Sequence, residues 1–301
     1  GLSMTTGIEN TIIGGLAGDA LTDADQNVAV GKSALSADTL GSKSVAIGAG
    51  ALNAQNFTTA TDTYNTAVGH VAGGSITTGT RNTIVGGLAG DAITTADQNT
   101  VFGALALSEE TTGEYSVAVG YQALAVQNST TGASMYNTAV GYKSGFSITT
   151  GTQNVLMGAL AGDAMTTPNN NVAVGFQALS NDTTGQSNVG VGYNALATQN
   201  RTDSTSQFNV GVGASAGEQI TSGTQNTLIG GLAGDELTAS DFNVAVGYSA
   251  LSSDTLGARN VAVGHEALAS QNFTTATTSY NTAVGMQAGR LVTTGTQNTL
   301  I

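Results

Sequence analysis

The chain has 301 residues, of which only 9% are charged and 5% aromatic, with one proline, no tryptophan and no cysteine. Twenty acids against seven bases give a net charge of −13, so the basic stripes that would neutralise nucleic-acid phosphates are missing. No stretch approaches the roughly 18 apolar residues of a membrane span and no secretory leader opens the chain, so this segment is not expected to insert in a membrane. The 42 glycines do not signal disorder, because apolar residues return in strict register.

The first element in chain order is the phrase Asn10-Thr11-Ile12-Ile13-Gly14, of the form N-[TV]-x-[VIL]-G. It recurs, with two Ser-for-Asn swaps, from Asn27, Ser44, Asn65, Asn82, Asn99, Ser116, Asn137, Asn154, Asn171, Asn188, Asn209, Asn226, Asn243, Asn260, Asn281 and Asn298. The spacings run 17, 17, 21, 17 and repeat, so four units form one super-repeat, framed by Asn10, Asn82, Asn154, Asn226 and Asn298. Such a period predicts a stacked, quasi-one-dimensional architecture without a unique pocket. Ile301 falls inside the seventeenth copy and Gly1 is not a natural start, so the chain reads as a segment of a longer one.

Slots two and four of the phrase are β-branched or large apolar residues, which predicts a short strand. The two slots share one face, expected to point inward, while slot three (Ala or Gly, but Ile12, Ile84, Leu156, Leu228 and Leu300 on frame) points the other way, expected toward other chains. The closing glycine suggests a turn that a Cβ would obstruct. Four places after it stands Leu35 or Leu52 in two coils and Gly73 or Gly90 in the other two; where Leu is missing, Ile76 or Ile93 follows three places later. One core site filled from two chain positions implies a packed interior. Each coil, short or long, is expected to hold two short strands and two turns, stacked in parallel about 4.8 Å apart. The extra stretch of the long coils falls in a surface loop, such as Leu52 to Tyr64, and Pro168 in another loop. Asn in slot one predicts a hydrogen-bonded ladder satisfying turn amides. The fold expected is all-β, one continuous parallel β-solenoid over 1–301. The structural positions Asn27, Val28, Val30, Gly31, Asn137, Val140 and Gly141 are typical of it. A coil this thin predicts association with copies of itself, most simply around a threefold axis.

Ser44–Gly48 (S-V-A-I-G) and Ser116–Gly120 (S-V-A-V-G) resemble the head repeats of trimeric, YadA-like autotransporter adhesins. Asn137–Tyr142 (N-T-A-V-G-Y) is similar to repeats of long phage tail fibres and of surface proteins that end in a self-cleaving chaperone. The resemblance spans practically the whole chain. It implies left-handed β-rolls assembled as a homotrimeric fibre or adhesive shaft, outside the cell, on a virion or a bacterial surface. The coils are longer than those usual in adhesin heads.

Gly14–Leu21 (G-G-L-A-G-D-A-L) resembles a calcium-binding nonapeptide, which would make Asp19, Asp91, Asp163 and Asp235 metal candidates. Their recurrence once per super-repeat, instead of once per nonapeptide, favours a turn role and no bound metal. Asn56, Asn128, Asn200 and Asn272 open N-x-[ST] in the long loops, positions for exposed-loop contacts or glycans. His70 and His265 follow the phrase glycine at a tolerant, exposed position. Tyr64, Tyr136, Phe208 and Tyr280 are expected to pack the long loop onto the roll, with a sugar-binding stripe as the alternative. No Ser-His-Asp set repeats in register, so no catalytic residue and no cofactor is assigned and no enzyme is expected. The leading expectation is a structural shaft that positions an attachment tip. The alternative is that the roll itself is an adhesin for matrix, host receptor, glycan or other cells, and a remote one is an ice-binding solenoid.

Overall fold

The computed structural model describes residues 1–301 and contains no helix. The chain is a parallel β-solenoid of about 17 turns, folded as two compact units, Gly1–Thr152 and Gln153–Ile301. In the first unit the phrase strands run from Thr11–Ile13 to Thr138–Val140, each parallel to the next and in register, as in Val28↔Val45 and Val30↔Ile47. The second unit repeats the arrangement from Val155–Met157 to Thr299–Leu300, as in Val172↔Val189 and Val174↔Val191.

The expected second strand of each coil is largely absent. It forms only beside long loops, where Gly41–Ser42 pairs with Thr61–Asp62 and Gly257–Ala258 with Thr277–Thr278. Elsewhere the coil closes through left-handed corners. Forty-one non-glycine residues have φ near +50 to +63°, where a few per cent would be ordinary. All but Ser204 stack at three fixed places: before slot one (Glu9, Gln26, Lys43), two after the phrase glycine (Leu16, Ser33) and four after it (Leu35, Leu52). Each such residue is strained by about 1–2 kcal/mol, and the inter-coil ladder holds it there. Ser33 N donates to Gly15 O at 2.9 Å and Leu35 N to Ala51 O at 3.0 Å.

The phrase glycine is required twice over. At Gly31 φ is +133°, and a Cβ there would lie 2.5 Å from Gly48 O on the next coil; Gly141 has φ +141°.

The strand faces are the reverse of the expectation. Slot three is buried in every coil but the first and last, whether Ala29, Ala139 or Ile84, whereas Val28, Val30 and Val140 in slots two and four are partly exposed. A three-residue strand sends one side chain inward and two outward, and the lumen of so thin a coil admits only a small group beside the inner leucines. The on-frame large residues have a cause in the same geometry. Gly73 lies where a Cβ would sit 3.1 Å from each of Ile76, Ile84 and Leu52, so the missing leucine is replaced from two directions at once. Leu35, Leu52, Ile76, Ile84 and Ile93 are all fully buried.

Candidate functional site: the outer strand face and its edges

Slot one builds the spine beneath the strand face. Asn27 Nδ2 donates to Gly41 O at 2.9 Å, and its Oδ1 accepts from Ser44 N at 2.8 Å, while Asn27 N donates to Asn10 Oδ1. Asn137 Nδ2 reaches Gly151 O at 2.7 Å, and Asn154 Nδ2 reaches Pro168 O at 3.0 Å. The buried amides of the spine are thereby matched, as burial demands. The predicted asparagine ladder is present.

A second set of buried polar groups was missed by sequence reasoning. Where one coil carries Ile76 or Ile93, its neighbours carry Asp38 and Gln55 at the equivalent position, and both are fully buried. Asp38 Oδ1 accepts from Gly41 N at 3.1 Å and Phe57 N at 3.0 Å, and Gln55 Nε2 donates to Asp38 Oδ2 at 2.6 Å and to Ser44 Oγ at 2.8 Å. Gln55 Oε1 then accepts from Asn65 Nδ2 at 2.9 Å. Glu110 with Gln127, Asp182 with Gln199 and Asp254 with Gln271 repeat this node. The node anchors each long loop to the core. Burial pushes the Asp182 carboxyl up, against the opposing pull of Gln199 and backbone amides. The signal was available: an acid and, one coil later, a glutamine return in every super-repeat.

The outer face above this spine is mostly apolar. Slot four offers Ile13, Ile47, Phe102, Met157, Ile229 and Val284, all among the exposed large hydrophobics. Slot two adds a Val or Thr rank beside it, the two ranks separated by about 7 Å and repeating about every 4.8 Å. Contiguous apolar strips of that kind mark interaction surfaces.

Both edges of the face carry stacked side chains. Before slot one, Tyr115 stacks on Tyr136 at 5.2 Å, Lys43 sits over Tyr64 at 5.3 Å and Arg259 over Phe242 at 4.4 Å. Tyr64, Tyr136, Phe208 and Tyr280 are each about half exposed, and Tyr136 and Tyr64 rest on Tyr115 and Lys43 of the preceding coil. After the phrase glycine, Tyr121 stacks on Tyr142, Phe176 on Tyr193 and Tyr248 on His265, at 5.6 to 5.8 Å. His70 and His265 are exposed, as expected.

The remaining candidates are scattered along the coils. Asp19, Asp91, Asp163 and Asp235 are half-buried turn residues, one per four coils, and no group of three or more His, Cys, Asp or Glu side chains is assembled around them. Burial raises the Asp91 carboxyl, and pushes that of Asp235 up to about 6. Asn56, Asn200 and Asn272 are exposed and Asn128 half-buried; each Oδ1 accepts a threonine hydroxyl from the preceding coil, as in Thr39 to Asn56 at 3.2 Å. Together they continue a threonine ladder in which Thr22 Oγ1 donates to Thr39 O and Thr94 Oγ1 to Thr111 O. Those hydroxyls are engaged inside the fold and do not form a free lattice for ice.

Comparison with known proteins gave no matching family model and no matching curated sequence.

Proposed function

We propose that the chain is a non-enzymatic structural shaft of an extracellular appendage, on a virion or a bacterial surface, built by lateral association of identical copies through the outer strand face. The observation that carries this reading is the unbroken double rank, Val or Thr in slot two and Val, Ile, Phe or Met in slot four, left at least partly exposed coil after coil along each unit. A chain with so few charges on that face, at a net charge of −13, has one economical way to cover it, which is a second copy presenting the same face. The resemblance to adhesin heads and tail fibres supports three copies around one axis. In-register parallel pairing and the buried acid–glutamine nodes suit a stiff rod that holds an attachment tip at a distance. Light scattering coupled to size-exclusion chromatography tests the reading. The expected mass is three times 29.8 kDa, and a single-chain mass from a fully folded sample would overturn it.

A further inference from the structure

The rings on the far edge of the strand face leave a gap that the shaft reading does not use. Phe176 and Tyr193 stack at 5.7 Å with an interplanar angle of 10°, and Tyr248 stacks on His265 three coils after Tyr193. The two intervening residues at this position are Ala214 and Gly231. Tyr248 leans over Gly231, whose Cβ position is 3.5 Å from the ring, whereas Ala214 is exposed. One face of Tyr193 therefore has only a methyl group beyond it. Three strand spacings separate the two tyrosines' backbone positions by about 14 Å, and the lean of Tyr248 over Gly231 takes up part of that distance, so the open stretch lies above Ala214, next to Tyr193. Tyr193 and Tyr248 are 55% and 53% exposed, which suits a ligand with an apolar face and a wet rim better than a fully apolar one. The residue after Tyr193, Asn194, donates through Nδ2 to Glu218 Oε1 at 3.2 Å, on the coil that carries Ala214. No Lys or Arg occurs between Arg201 and Arg259, while Glu218, Asp235, Glu236 and Asp241 lie in that interval, so anionic ligands are repelled.

We propose that the gap between Tyr193 and Tyr248, floored by Ala214, binds a neutral saccharide, with a pyranose ring stacked on Tyr193 and its hydroxyls directed to the Asn194–Glu218 pair. The C–H face of a pyranose covers an aromatic ring and its hydroxyl rim stays hydrated, the combination that this half-exposed edge offers. Because Tyr248 already covers Gly231, the gap holds one such ring, on Tyr193. A related gap occurs in the first unit, where Gly87 and Ala104 separate His70 from Tyr121. Binding at either gap does not depend on how many copies assemble.

Affinity electrophoresis of the intact chain through gels containing dextran, glycogen or galactomannan, with alginate as the anionic control, tests the proposal. Retardation is expected in at least one neutral polysaccharide and not in alginate. Tyr193→Ala should weaken it about tenfold, and Ala214→Phe, which fills the gap at an exposed position, should do the same with unchanged circular dichroism. Phe208→Ala, on the opposite edge, should leave retardation as it was. Absence of retardation in all three neutral gels overturns the proposal, as does retardation that survives both gap substitutions. If Ala214→Phe instead lowers the solution mass and no polysaccharide retards the chain, the gap is a contact between copies and the saccharide assignment fails, while the shaft reading stands.

Discussion

Gln55 Nε2 donates to Asp38 Oδ2 at 2.6 Å, one coil away, with both side chains fully buried. Asp38 also holds Gly41 N and Phe57 N, so its removal strands three donors away from water. Asp38→Ala should therefore destabilise the first unit by about 3–5 kcal/mol, because unpaired buried groups forfeit their full desolvation. Gln55→Ala should be milder, and the double variant should show a coupling of at least about 1 kcal/mol. Guanidinium unfolding of the four species measures it; additive effects would mean that the pair is incidental.

Gly31 and Gly87 separate backbone need from repetition. Gly31→Ala meets both a φ of +133° and an oxygen 2.5 Å from the new Cβ, whereas nothing lies within 4 Å of a Cβ at Gly87. The first substitution should cost about 3 kcal/mol or more, and the second should change stability by less than about 0.5 kcal/mol. Thermal unfolding of the two variants side by side decides this. Equal losses would show that glycine is kept at position 31 for another reason.

The strands, their parallel stacking, the asparagine ladder and the shared core site were legible because each depends on one residue type at one period. The facing of the strand was not. Val in slots two and four looks like core by chemistry, yet only Ala29 or Ile84 in slot three reaches the lumen. The contrary clue lay in Ile84, whose size is locked to the coils that carry Gly73 and Gly90. The left-handed corners were invisible for a different reason. Lys43, Tyr64 and Gln98 are poor left-handed formers, and they adopt that conformation because the inter-coil ladder, not local propensity, sets it. The edge stacks, such as Tyr115 on Tyr136, depend on a neighbour one long coil away and become readable only once the coil length is known to be the stacking period.

Acid should stabilise this fold over a defined range. Burial raises the carboxyls of Asp91, Asp182 and Asp235 in the folded state, the last to about 6. A raised folded value favours proton uptake on folding, so the associated stability is present at low pH and is lost as pH rises through the folded value. The melting temperature should thus climb as pH falls from about 7 to about 4.5. Asp235→Asn should raise the melting temperature at neutral pH and flatten the profile between about pH 5 and 7. Asp62 and Asp203, lowered by Lys43 and Arg201, act in the opposite sense, but as exposed pairs they contribute little. A profile that falls on acidification over that range would contradict the assignment.

Ala245 and Val246 are adjacent in one strand and point to opposite sides, the first fully buried and the second on the outer face. Ala245→Glu forces an unpaired carboxylate into a lumen sized for a methyl group, and it should abolish the strand signal of the second unit by circular dichroism. Val246→Glu places the same charge on the half-exposed outer face, where the carboxylate can reach water, so the strand signal should persist. If identical copies cover that face, however, a threefold arrangement would bring three such charges together, and their mutual repulsion should lower the solution mass toward one chain. Added salt should restore part of the mass by screening. A folded Val246→Glu chain that keeps the full mass at low ionic strength would place the association of copies on another surface.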